Sequence, residues 1–271
     1  MMYIVAIAGV GPAYADGMPG GNVNDQVVRT VDIAKPAIVR IITQLSGQLA
    51  VTFSNGQTVN FPQTPQDGVN GYILAFSGSG AFISAHGDVL TADHVINPVQ
   101  DDKEELDAGL QQEAAPDIAK YINQNLNPAQ PVTENQVTQQ LASGQLASTP
   151  NYTQPVSRVY LNVDFSGPLT VANFRSIPAT QYADVDQIKK QSPFTDFDIA
   201  IIHVKGMDNM PMLQLGDSSL VQSQDKLTVL GFPGNADISN NATDLLTLSV
   251  TPVLVSAKKT APNGSPLLQV T

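Results

Sequence analysis

Short blocks of β-branched and aromatic residues, broken by glycine, proline and asparagine, set the rhythm of this chain. Ala37-Ile38-Val39-Arg40-Ile41-Ile42-Thr43 predicts a strand, because branched side chains suit a pleated, half-buried surface. The preceding Ile33-Ala34-Lys35-Pro36 fits a short helix that stops at the proline. Asn55-Gly56 predicts a hairpin turn, and residues 71–76 the next strand. Phe82-Ile83 and Val89-Leu90 then flank the turn residues His86-Gly87-Asp88, a second hairpin. Thr91 and Ala92 lead from it into a one-turn helix that begins near Asp93 and carries His94. Further strands are expected over residues 156–163, 169–174 and 267–271. Residues 195–204 read as a buried strand with an aspartate at its entrance.

Between residues 97 and 155 the texture changes. Asp101-Asp102-Lys103-Glu104-Glu105 is charged, and glutamine and asparagine are frequent. Ile118, Tyr121, Ile122 and Leu126 sit at helical spacing, with Val137, Leu141 and Leu146 less regular. Two or three short helices joined by polar linkers are expected, their apolar faces packed against the strands' barrel; a lid over a cleft is the alternative. The acidic run reads as a solvated face, since no spaced Asp-x-Asp-x-Asp-Gly calcium loop is present.

Composition narrows the function. With 13 Lys+Arg against 24 Asp+Glu, the formal charge of −11 argues against nucleic acid and against an anionic membrane surface. There is no cysteine, so disulfides and thiolate metal sites are excluded. Nineteen prolines and twenty glycines favour strands and turns over long helices. Residues 3–10 form an apolar run too short to span a bilayer. Ala13-Tyr14-Ala15 before Asp16 has the small-x-small form of a signal-peptidase site, although no basic residue precedes the run. Residues 1–15 are read as a signal peptide, atypical or short of its start, with a buried first strand as the alternative; residues 16–24 are read as a flexible lead-in.

The stretch Gly78-Ser79-Gly80-Ala81-Phe82-Ile83-Ser84-Ala85-His86-Gly87-Asp88-Val89-Leu90-Thr91-Ala92-Asp93-His94-Val95 resembles the histidine motif of trypsin-like serine peptidases of the bacterial HtrA/Deg-like branch. So long a matched string outweighs a core hairpin with an incidental histidine. Residues 36–41 resemble the opening strand of the same branch, and nothing resembles the I-V-G-G start of animal trypsins. Asp198-Ile199-Ala200-Ile201-Ile202 resembles the segment that holds the triad aspartate. Asp196, two residues earlier, is expected on the same strand face and is set aside as a decoy. His203 is expected in the core or at an edge, and His86 exposed in its turn. Leu215-Gly216-Asp217-Ser218 and Val229-Leu230-Gly231-Phe232-Pro233 resemble the connection to the second barrel and its first strand. Val253-Leu254 stands where that family has a glycine, which puts the local turn in question.

The resemblance implies an all-β, two-barrel chymotrypsin-like fold, with a helical insertion after the histidine and an incomplete second barrel. The expected organisation is a first barrel over 16–213 with its insertion over 97–155, and a partial second barrel over 214–271. It implies a Ser-His-Asp endopeptidase in which His94 is the base and Asp198 orients it. The nucleophile motif G-N/D-S-G-G-P is expected beyond Thr271, so these 271 residues alone are expected inactive. Ser265 is rejected as a substitute, because Asn263-Gly264-Ser265-Pro266 precedes the strand that should lead into the motif and Pro266 lacks an N–H. Ser79 and Ser84 belong to the hairpin. The alternative is a non-catalytic, peptidase-shaped binding or scaffold protein. Protein or peptide substrates and an extracytoplasmic location are implied; no cofactor, metal, nucleic acid or membrane span is.

Overall fold

The computed structural model describes residues 26–65, 68–161, 182–232, 248–261 and 263–271. The expected leader, the lead-in and the strand over 169–174 lie outside these residues. The chain divides into two compact units. One comprises residues 1–42, 77–96 and 157–271; the other comprises 43–76 and 97–156.

The first unit opens with α1 (Gln26–Ala34), which buries Val31 and Ala34 and ends in a single 3-10 turn at Lys35–Ala37. The strands that follow are β1 (Ile38–Thr52), β3 (Tyr72–Phe82), β4 (Asp88–Thr91), β6 (Val156–Tyr160), β7 (Tyr182–Ser192) and β8 (Ile199–Val204). They pair in the order β1-β3-β4-β8-β7-β6, and β6 pairs back to β1. The result is a closed six-strand barrel, which leaves no open edge among its strands. Around the barrel its strands are met as first, second, third, sixth, fifth and fourth in chain order, the arrangement a Greek-key crossing produces. Val39, Ile41, Phe82, Val89, Ile202 and Val204 fill its interior at 0–1% exposure. A second sheet holds β9 (Lys226–Gly231), β10 (Ser249–Thr260) and β11 (Pro266–Val270), in the order β11-β10-β9. A closed barrel followed by this partial sheet is the chymotrypsin-like architecture that the sequence implied.

Two local details differ from expectation. β10 runs unbroken through Val253 and Leu254, which pair with Leu227 and Lys226, and its irregularity comes later, between Val255 and Ala257. No glycine is needed where the strand does not turn. The Asp196 assignment is corrected too: residues 194–197 form turns, and the strand starts at Ile199. Strand alternation therefore does not relate Asp196 to Asp198.

The second unit is built from the continuations of β1 and β3, with β2 (Thr58–Phe61) and β5 (Ala147–Tyr152) paired to β1. Its helices are α3 (Pro98–Asp101), α4 (Lys103–Asn125) and α5 (Glu134–Ala142). Three helices are described where two or three short ones were expected, but α4 is long, a single helix of 23 residues. Leu106, Leu110, Ala114, Ile118 and Ile122 recur every fourth residue and keep one buried stripe going through Pro116. These side chains pack on Leu45, Leu49, Val51, Phe61 and Tyr72, a core of the second unit. α4 thus packs on the extensions of two barrel strands, β1 and β3, in a core separate from the one inside the barrel. α5 starts on a capping box, in which the Thr133 side chain accepts from the Gln136 N–H and the Gln136 side chain accepts from the Thr133 N–H. No described helix is long and apolar enough to cross a membrane.

Candidate functional site

The site follows from the pairing of β4 with β8. Val89 lies opposite Ile202, Leu90 opposite Ile201 and Thr91 opposite Ala200. That antiparallel register brings the chain leaving β4 beside the chain entering β8. Ala92, Asp93 and His94 follow the one end; Asp198 and Ile199 precede the other. α2 (Asp93–Ile96) then turns His94 back over Asp198.

Close packing fixes α2 where it is. A Cβ on Gly78 would stand 2.4 Å from Val95 Cγ2, so only glycine lets β3 approach this turn. Thr91 is fully buried, and its hydroxyl donates to the Ser79 carbonyl at 2.9 Å. The Ser79 side chain makes a contact of its own. Its Oγ accepts from the Phe232 N–H at 2.7 Å, tying β3 to the end of β9.

His94 Nδ1 lies 2.8 Å from Asp198 Oδ2, and the His94 main-chain N–H donates to Oδ1 at 3.1 Å. One carboxylate thus grips both the ring and the backbone of the same residue. The side chains are 24% and 11% exposed, so the pair is sheltered but open on one side. Burial by itself pushes the Asp198 carboxyl up; hydrogen bonds from the His94 ring and main chain, the charge of His94 and the Asp93 N–H outweigh it. The carboxyl is held below its ordinary value and stays an acceptor. An ionised Asp198 fixes the neutral ring with its proton on Nδ1, which leaves the Nε2 lone pair to take up a proton.

Asp198 has φ 52°, in the left-handed region that aspartate tolerates better than most residues. A tight turn holds it there: the N–H groups of Asp196 and Asp198 both donate to the Pro193 carbonyl, at 2.9 and 3.0 Å. Asp196 itself accepts from the Ser192 hydroxyl at 2.7 Å, within the turn. Phe194, on the same turn, meets the His94 ring edge to face at 6.2 Å between centroids. Sequence reasoning did not pick out Phe194; nothing in local spacing ties it to a histidine a hundred residues away.

The other histidines have carboxylate partners of their own. His86 Nδ1 lies 3.3 Å from Asp208 and is 81% exposed in its turn. His203 Nδ1 lies 2.7 Å from Asp186 on the β7–β8 face. Ser84 Oγ accepts from the N–H groups of His86 and Asp88, shaping the hairpin. Ser265 is 6% exposed, just ahead of β11, and its Oγ has no hydrogen-bond partner among the described residues. No group of three or more His, Cys, Asp or Glu among the described residues is arranged to hold a metal ion.

No protein-family model and no curated protein sequence matches the chain. Among solved structures it is similar to two of the HtrA-type protease AlgW with tripeptide, one of them a single-substitution variant. Identity is 14% in both and the TM-score 0.39. The alignments cover 88% and 89% of this chain but 44% and 42% of those chains, so it spans less than half of their length.

Proposed function

We propose that this chain carries the proton-relay part of a serine endopeptidase of the trypsin-like type. The observation that supports the reading best is the doubly held His94–Asp198 pair at the mouth of a closed barrel. In the proposed reaction His94 Nε2 removes the proton from a serine hydroxyl as its oxygen attacks the scissile carbonyl, then returns that proton to the leaving amine. Asp198 keeps the ring in the useful tautomer and steadies the imidazolium. The serine and the oxyanion-binding N–H groups come from a G-N/D-S-G-G motif, a string these 271 residues do not contain. Each oxyanion donor would contribute roughly 3–4 kcal/mol. Substrates are proteins or peptides, and the site of action is outside the cytoplasm.

Casein cleavage tests the reading. The 271-residue chain is expected to be silent, and a longer product of the gene that adds the motif is expected to cleave, with activity lost in His94→Ala. Cleavage by residues 1–271 alone, or a longer product without the serine motif, would overturn it; the latter leaves the binding or scaffold protein.

A further inference from the structure

Asp198 is held from outside its own turn. The hairpin loop between β10 and β11 reaches the turn through one side chain: Asn263 Nδ2 donates to the Asp196 main-chain carbonyl. The other end of the same amide is engaged as well, because Asn263 Oδ1 accepts from the Ser265 N–H at 3.0 Å. The loop is closed on itself by Ala261 N–H to the Ser265 carbonyl at 2.8 Å and Gly264 N–H to the Ala261 carbonyl at 2.9 Å. Asn263 is therefore a pre-set arm, with its donor aimed at the peptide two residues before Asp198.

What it holds has reason to move. Asp198 sits at positive φ, and its turn is closed by hydrogen bonds that all gather at Pro193 and Ser192. The Asp196–Phe197 peptide is held at its N–H by Ser192 Oγ and at its carbonyl by Asn263. Without that carbonyl anchor the peptide is held at one end only, and its tilt passes through Phe197 to Asp198 and the carboxylate beside His94.

The geometry points to Asn263 as a positioning residue for the His94–Asp198 pair, acting across from the second sheet through the Asp196 carbonyl. The inference rests on reading His94 and Asp198 as a working pair. An amide is needed because both of its ends are used. Aspartate keeps the acceptor but sets an oxygen against the Asp196 carbonyl oxygen; alanine removes both contacts.

The test is NMR of the full 271-residue chain, following the ¹⁵N tautomer shifts of His94 and the exchange rate of its Nδ1 proton. Losing one anchoring hydrogen bond is expected to speed that exchange about tenfold in Asn263→Ala, and further in Asn263→Asp. Amide protection in β8 is expected to stay as in the parent. A His94 signal unchanged in folded Asn263→Ala overturns the inference, and so does unfolding of both variants, which would make Asn263 purely structural. Asp198→Asn separates the two levels. If it leaves the His94 tautomer unmoved, the pair itself is refuted; if it moves the tautomer while Asn263→Ala does not, only the positioning role is.

Discussion

At His94 the chemistry depends on which ring nitrogen holds the proton. Asp198→Asn keeps the size of the side chain but ends its preference for an Nδ1–H partner. The neutral ring is expected to redistribute toward the Nε2–H tautomer, visible in ¹⁵N shifts. On the proposed reaction, the same change is expected to lower kcat on the order of 10⁴-fold, measured in a product that carries the serine motif. Asp198 also carries a pH signature. Its carboxyl is held below its reference value of 3.8, so the folded state binds fewer protons there than the unfolded state. The stability it contributes is complete above that reference and drains away as pH falls through the depressed folded value. Urea unfolding followed from about pH 6 down to about pH 2 is expected to show a shallower acid loss in Asp198→Asn than in the parent.

At the level of elements, the glycines of the Gly78-Ser79-Gly80 string act as spacers. Gly78→Ala drives a Cβ into Val95, 2.4 Å from Cγ2 and 2.9 Å from Cγ1. An overpacking cost of about 1–3 kcal/mol is expected, partly relieved by adding Val95→Ala. Chemical denaturation of the two single variants and the double variant measures this. In the second unit, α4 is tied to strands at two points. Tyr72 donates to Asp117 and Tyr152 to Asp107, both at 2.7 Å. Burial first, then the carboxylate each one faces, pushes both phenols well above the ordinary tyrosine range. Both hydroxyls thus stay donors at any working pH. Tyr72→Phe and Tyr152→Phe are each expected to cost about 1–2 kcal/mol by thermal or urea unfolding, since each leaves a carboxylate short of a donor.

At the level of the whole molecule, each unit has a core of its own. Leu110 is fully buried in the second. Leu110→Ala is expected to destabilise by about 2–5 kcal/mol and to show first as lost amide protection in α4. The charge of −11 bears on partners more than on fold. A gel-shift assay at physiological salt is expected to show no retention of duplex DNA, because too few cations are available to neutralise phosphates.

The barrel was legible in the string of residues because strand and turn chemistry is local. β-branched runs, Asn55-Gly56 and His86-Gly87-Asp88 each act on their own few residues. That His94 and Asp198 meet was expected from resemblance, a long string around His94 and a short segment at Asp198, and the structure pairs them. Helix extent was read less well: polar residues and Pro116 hid a stripe that only packing makes continuous. Which partner a side chain meets was decided by tertiary structure alone. The β4–β8 register sets Asp198 under His94, a turn takes Asp196 off the strand, and a hairpin loop brings Asn263 to the Asp196 carbonyl. Contacts across such separations leave no trace in spacing, since they arise only when folding brings distant backbone to within hydrogen-bonding reach.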